Sequence, residues 1–134
     1  MTLIDVSDAM VEKRLDAVKD NLQRVVAKGK LTEPEKEAAL GLIRGTTAFE
    51  ELASADLVIE AATENFEVKL NILKRIDALV RAETIVASNT SSISITKLAA
   101  AMSHPDRFIG LHFFNPVPIM ALVEIVRGLQ TSDA

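Results

Sequence analysis

Apolar residues follow two patterns along the chain, helical spacing in the longer stretches and continuous runs in the shorter ones. The first helix is predicted from a start that Ser7 or Asp8 can cap to an end near Gly29. A second is predicted to begin at 32–35, where proline and acidic residues fall in the first turn. Shorter helices are predicted over 49–54, 65–80 and 94–102. The 65–80 helix is expected to bury a stripe of apolar residues, namely Val68, Ile72, Ile76 and Leu79.

The continuous apolar runs predict the strands, which lie over 2–6, 46–47, 57–62, 84–88, 107–112 and 122–126. The 57–62 run contains one acid, Glu60, among apolar neighbours. Such runs are typical of strands buried on both faces, as in a parallel sheet covered by helices. Strands that alternate with helices therefore predict an α/β domain with a mostly parallel sheet.

The composition limits the kinds of catalytic and binding site that the chain can form. The 134 residues are 49% hydrophobic and 25% charged, which is enough to bury the core of one domain. The absence of cysteine excludes a disulfide framework, a thiolate metal site and a thiol nucleophile, and no metal is expected. Imidazole chemistry is left to His104 and His112, and His104 is expected to lie on the surface.

Charge and hydropathy bear on partners and location. The net charge of −4 does not favour a nucleic-acid reader. No apolar run reaches the roughly 18 residues of a membrane span. The N-terminus lacks the order of residues that a signal peptide has. We therefore expect a cytoplasmic protein with no nucleic-acid or membrane partner.

Asp5 ends the first predicted strand. In a dinucleotide-binding domain a ribose-binding acid stands there, about 20 residues after a Gly-rich turn. No G-x-G-x-x-G occurs in this chain, whose glycines are Gly29, Gly41, Gly45, Gly110 and Gly128. Either the chain is not a dinucleotide domain or its first βα unit has been removed, and spacing alone leaves both open.

Three motifs carry a resemblance to a known family. They are Asp-Leu-Val-Ile-Glu-Ala-Ala-Thr-Glu-Asn at 56–65, Ser-Asn-Thr-Ser-Ser at 88–92 and His-Phe-Phe-Asn-Pro-Val-Pro at 112–118. With Lys-Gly-Lys-Leu-Thr at 28–32 and Leu-Val-Glu-Ile-Val at 122–126, they closely resemble the L-3-hydroxyacyl-CoA dehydrogenases. The bacterial 3-hydroxybutyryl-CoA dehydrogenase branch looks nearest. Val-Pro-Ile-Met at 117–120 resembles the single-function enzymes more than the fused β-oxidation multienzymes.

The resemblance implies a Rossmann-like, doubly wound, mostly parallel sheet that lacks its first βα unit. Residues 1–134 would form part of an NAD-binding domain, without the C-terminal helical dimerisation domain. The implied activity is oxidation of (S)-3-hydroxyacyl-CoA to 3-oxoacyl-CoA with NAD, or the reverse. The chain alone is expected to be inactive, as a homo-oligomer or an assembly completed by another strand. The alternatives are a non-catalytic structural member of the family or a piece of a multifunctional β-oxidation enzyme.

The resemblance also implies the catalytic residues. His112 would be the general base, Glu124 its partner, and Ser91 and Asn115 the residues that orient the substrate. An imidazole suits the first role because it titrates near neutral pH. From the sequence alone, His112 could instead be a strand-end histidine bonded to backbone, and 89–92 could be a helix N-cap without chemistry. Both readings of 89–92 can hold, because Ser92 or Ser94 can cap the helix while Ser91 points outward.

Cofactor and CoA contacts are implied in the same way. The resemblance places Asp5 on the adenosine ribose, and Glu64, Lys69 and Asn89 around the nicotinamide half. NAD is expected over NADP, since Asp5 would repel a 2′-phosphate. Lys28 matches a lysine that contacts the CoA nucleotide. Without the family, Glu64 and Lys69 could be a surface pair and Lys28 a solvated helix end.

Overall fold

The computed structural model describes residues 1–133, which fall into two compact units, Met1–Phe49 and the remainder from Glu50. The first unit contains β1 (Thr2–Ile4), α1 (Asp8–Ala27), α2 (Glu33–Gly41) and β2 (Arg44–Thr46). The second contains β3 (Leu57–Glu60), α3 (Phe66–Asp77), β4 (Ile85–Ser88), α4 (Ile95–Ala99), β5 (Phe108–Phe113) and β6 (Val123–Arg127). Short 3₁₀ helices lie at Phe49–Ser54 and Pro105–Arg107.

The first unit pairs β1 with β2 in parallel and packs them with two helices. Its helix starts are confirmed: Ser7 caps α1 by accepting from the backbone N–H of Met10, and Thr32 forms a capping box with Glu35. A Cβ on Gly45 would overlap the side chain of Val11, so glycine allows β2 to approach α1 closely. The short strand predicted at 46–47 lies slightly earlier, at Arg44–Thr46.

The second unit is built on a four-stranded sheet in the order β3-β4-β5-β6. The first three strands are parallel, and β6 runs antiparallel to β5. The prediction of an α/β fold with a mostly parallel sheet is therefore confirmed. None of the helices within residues 1–133 is long and apolar enough to cross a membrane.

The prediction that the 57–62 strand is buried on both faces is wrong. Val58 and Glu60 are 7% and 4% exposed, whereas Leu57 and Ile59 are 49% and 43% exposed. Alternate side chains of a strand point to opposite faces. Only the face that carries Val58 and Glu60 is covered, and there Glu60 contacts Lys69 of α3.

The buried stripe of α3 agrees with the prediction at Ile76 and differs from it at Val68. Val68 is 48% exposed, and the buried residues of the helix are Lys69, Leu73 and Ile76. Apolar spacing predicts that Val68 is buried. It does not predict the burial of Lys69, since a lysine is rarely buried without a partner. Lys69 takes the inward position because an acid on β3 lies opposite it.

Candidate active site

A cleft of about 240 Å³ lies where β3, β4 and β5 end. Parallel strands place their carboxyl ends at one edge of a sheet, so the segments that follow them converge there. The cleft wall brings together six of the side chains singled out in the sequence, which are Glu64, Lys69, Asn89, Ser91, His112 and Asn115.

His112 and Glu124 face each other across the antiparallel strands β5 and β6. The Nδ1 atom of His112 lies 3.0 Å from Oε2 of Glu124, and their side chains are 22% and 52% exposed. The ring of Phe114 lies 4.7 Å from the imidazole, centroid to centroid. With Nδ1 protonated, the imidazole donates to Glu124 and leaves the lone pair of Nε2 for a proton acceptor role. The reading of His112 as a histidine bonded to backbone is therefore wrong.

Glu64 organises the segment after β4. Its carboxylate accepts from the hydroxyl of Thr90 at 2.6 Å, the backbone N–H of Ser91 at 2.9 Å and the hydroxyl of Ser91 at 3.2 Å. The bond from Thr90, followed by that from the Ser91 backbone, lowers the pKa of Glu64 below its ordinary value. Glu64 is thus an acceptor-only carboxylate that fixes Ser91 beside the cleft.

Lys69 does not pair with Glu64, so the alternative of a surface pair is wrong. It is 1% exposed, and its ammonium donates to Oε2 of Glu60 at 2.5 Å and to the hydroxyl of Ser88 at 3.2 Å. Ser88 in turn donates to Glu60 at 2.8 Å, and the other oxygen of Glu60 accepts from the backbone N–H of Ala62 at 2.8 Å. The sequence showed Glu60 as an acid in an apolar run and Ser88 as the first residue of the 88–92 motif, but neither residue was given a role.

The two asparagines occupy different settings. Oδ1 of Asn89 accepts from the backbone N–H of Phe113 at 2.9 Å, which ties the end of β4 to the end of β5. Asn115 is exposed at the cleft wall. Of the two caps considered for the helix that follows, Ser94 is the one observed: it caps α4 by accepting from the backbone N–H of Lys97, so the N-cap lies outside 89–92.

Asp5 and Lys28 belong to the first unit. Oδ1 of Asp5 accepts from the adjacent backbone N–H of Val6 at 2.7 Å, and Oδ2 lies 3.5 Å from Nε of Arg14. Lys28 is the exposed C-cap residue of α1. His104 is exposed, as predicted, just before a 3₁₀ helix. No group of three or more His, Asp or Glu within residues 1–133 is placed to hold a metal ion.

The fold and the cleft define an α/β domain with an imidazole–carboxylate pair at the carboxyl edge of its sheet. Residues 1–134 match the family described as 3-hydroxyacyl-CoA dehydrogenase, NAD binding domain. The chain belongs to this family, and both its Rossmann-like fold and NAD as its cofactor agree with the predictions from sequence.

Individual relatives are consistent with that assignment. A 3-hydroxybutyryl-CoA dehydrogenase of Bradyrhizobium diazoefficiens is 48% identical over 134 residues, which are 100% of this chain and 46% of that protein. The fatty acid oxidation complex subunit alpha of Acinetobacter baylyi is 43% identical over 96% of this chain and 18% of its own length. The crystal structure of (S)-3-hydroxybutyryl-CoA dehydrogenase from Ralstonia eutropha is 58% identical, with a TM-score of 0.96, over 98% of this chain and 47% of that one. The chain thus spans about half the length of the 3-hydroxybutyryl-CoA dehydrogenases that it matches.

Proposed function

We propose that the full-length protein carrying this chain oxidises (S)-3-hydroxyacyl-CoA to 3-oxoacyl-CoA with NAD, or catalyses the reverse. The pair 3-hydroxybutyryl-CoA and acetoacetyl-CoA is the expected substrate and product. The observation that carries the proposal is the hydrogen bond between His112 and Glu124 beside a cleft at the carboxyl edge of the sheet. Relatives named for this reaction support it.

His112 acts as the general base in the proposed reaction. Its Nε2 takes the proton of the substrate hydroxyl while the carbon–hydrogen bond of the same carbon breaks and a carbonyl forms. Bound NAD supplies the acceptor for the departing hydride. Glu124 holds the ring through Nδ1 and stabilises the imidazolium that forms, as the third group of a base–orienter arrangement does.

Ser91 and Asn115 orient the substrate in this proposal. The hydroxyl of Ser91 is held at the cleft by Glu64, and Asn115 offers an amide to the acyl carbonyl. Lys28 is proposed to contact the nucleotide of CoA, for which an exposed cation at a helix end is suited.

The cleft has the donors and acceptors that the nicotinamide half of NAD requires. Lys69, Asn89 and Glu64 line its wall, and their side chains carry an ammonium, an amide and a carboxylate. Asp5, in the other unit, is proposed to bind the adenosine ribose and so to favour NAD over NADP. The residues present therefore fit these parts of the cofactor.

We propose that residues 1–134 are part of an NAD-binding domain, that the full-length protein is a cytoplasmic homo-oligomer, and that it needs no nucleic-acid or membrane partner. Within the described residues, β1 pairs only with β2 and β3 only with β4, so each has one strand edge without a partner. Such edges invite pairing with another strand, which is why the chain alone is expected to be inactive and self-associated.

The test uses the full-length protein, (S)-3-hydroxybutyryl-CoA and NAD, with NADH formation followed by absorbance. Turnover is expected with the (S) substrate and NAD, and much slower turnover with the (R) enantiomer or with NADP. The 134-residue chain is assayed beside it and is expected to give no turnover. Absence of (S)-specific NADH formation by the folded full-length protein would contradict the proposal.

A further inference from the structure

Glu60, Lys69 and Ser88 form a closed cluster of hydrogen bonds beneath the cleft. The side chains of Glu60 and Lys69 are each 1% exposed, and Ser88 is fully buried. Ser88 accepts from Lys69 and donates to Glu60, so its hydroxyl proton is used within the cluster. Within residues 1–133, Glu60 and Ser88 are the hydrogen-bond partners of the Lys69 ammonium, which leaves one of its three N–H donors.

Stability is a weak explanation for such a cluster. A buried ion pair loses the hydration of both charges, and well-packed apolar residues of similar volume are often as stable. The other buried lysine among the described residues, Lys36, pairs instead with the exposed acids Glu33 and Glu37. Glu60 and Lys69 thus stand apart as an ion pair buried on both sides, and Lys69 also forms part of a cleft wall.

We propose that Glu60 and Ser88 are positioning residues, which hold Lys69 so that its remaining N–H donor meets an oxygen of the nicotinamide half of NAD. This inference rests on the proposed function, in which Lys69 contacts the cofactor. Glu60 accepts from Lys69 and Ser88 through one oxygen, and the lysine stem emerges from α3, so the ammonium is held from two strands and one helix. A fixed donor loses less conformational entropy on binding than a mobile lysine does.

Glu60 has a second contact, which the experiment must separate from the first. Its other oxygen accepts from the backbone N–H of Ala62, which also lines the cleft. If Glu60 acts through Lys69, its replacement has no further effect once Lys69 is gone. If it acts through the turn at Ala62, the effect persists without Lys69.

The test is a double-mutant cycle on NAD binding in the full-length protein, with Glu60→Gln, Lys69→Met and both together. Affinity is measured by calorimetry with NAD, and KM is measured separately for NAD and acyl-CoA. We expect each single variant to bind NAD about tenfold more weakly or worse, the loss expected for a charged hydrogen bond. The double variant is expected to match Lys69→Met. KM for acyl-CoA should change little.

Controls keep the outcomes distinct. A single variant leaves one buried charge without a partner, whereas the double variant removes both charges. The double variant is therefore expected to fold even if a single variant does not. Asp56→Asn, which removes an exposed carboxylate paired with Arg81, should leave NAD affinity unchanged. Normal NAD binding by folded Glu60→Gln overturns the inference, as does a further loss from Lys69→Met to the double variant. If the unaltered protein does not bind NAD, the proposed function fails as well.

Discussion

Two acid–base pairs of the second unit have similar groups and opposite settings. His112 and Glu124 meet across β5 and β6 at 3.0 Å, with side chains 22% and 52% exposed. Lys69 and Glu60 meet between α3 and β3 at 2.5 Å, with both side chains 1% exposed. The first pair is open to solvent and the second is enclosed.

The difference indicates what each pair is suited to do. A reacting proton must enter and leave, so a general base needs an imidazole that both substrate and water can reach. A binding group must instead hold one charge in one place, and burial with a fixed counter-charge prevents it from moving. The difference in exposure therefore distinguishes His112, which is proposed to react, from Lys69, which is proposed to bind the cofactor.

The largest effect is expected at the reacting pair. His112→Gln should lower turnover by on the order of 10²–10⁴ in the full-length protein, because a positioned general base contributes about that much. Binding of NAD should persist, since His112 is proposed to act on the substrate proton. Turnover and calorimetry with NAD test this. His104→Gln, at the exposed second histidine, is the control and should be silent. Near-normal turnover of His112→Gln would contradict the proposal that the exposed pair reacts and the enclosed pair binds.

The enclosed pair should show its effect on stability. Lys69→Met leaves the carboxylate of Glu60 buried without its counter-charge, and breaking a buried pair in this way costs about 3–5 kcal/mol. Addition of Glu60→Gln removes the stranded charge and should restore much of the loss. The free energy of unfolding from denaturant titration measures both. Equal stability of Lys69→Met and the unaltered protein would show that the pair is not enclosed in solution.

A smaller loss is expected when the open pair is broken at its acid. Glu124→Gln keeps the shape of the side chain but presents either an oxygen or an NH₂ group to His112, so the tautomer is no longer fixed. Turnover should fall about 10- to 100-fold, the equivalent of one hydrogen bond to a charged group. Stability should change by less than in Lys69→Met, because Glu124 is half exposed. A larger loss of stability than of activity would contradict this ranking.

The two pairs also show which contacts of the site could be predicted from the sequence. His112 and Glu124 lie in motifs with recognisable spacing, and their strands were predicted, so their meeting follows once β5 and β6 pair antiparallel. The pairing of Glu60 with Lys69 could not be predicted from the sequence. Apolar periodicity included Val68 in the buried stripe of α3, and no local rule identifies a lysine that is buried because of an acid nine residues earlier.

The role of Ser88 could not be predicted from the sequence either. A serine at the end of a strand is ordinary in sequence, and its role depends on which groups β3 and α3 bring to it. Helix starts were easier, because Ser7 and Thr32 cap their own helices through local hydrogen bonds. Local chemistry is readable from a single sequence, whereas side-chain partners across elements depend on the tertiary fold.

The smallest effect is expected at Glu64, which combines exposure with fixed partners. Its folded pKa is lowered, chiefly by the bond from Thr90, below the ordinary value of 4.5. Its bonds therefore stabilise the fold fully above that pH, and the contribution is lost as the pH falls through the lower folded pKa. Glu64→Gln should have a lower Tm than the unaltered protein at neutral pH, and the gap should close in acid. Glu67→Gln, an exposed acid three residues later in the first turn of α3, is the control and should keep the pH dependence of the unaltered protein. A gap in Tm that stays constant from about pH 7 to about pH 3 would mean that Glu64 fixes Ser91 by shape and not by charge.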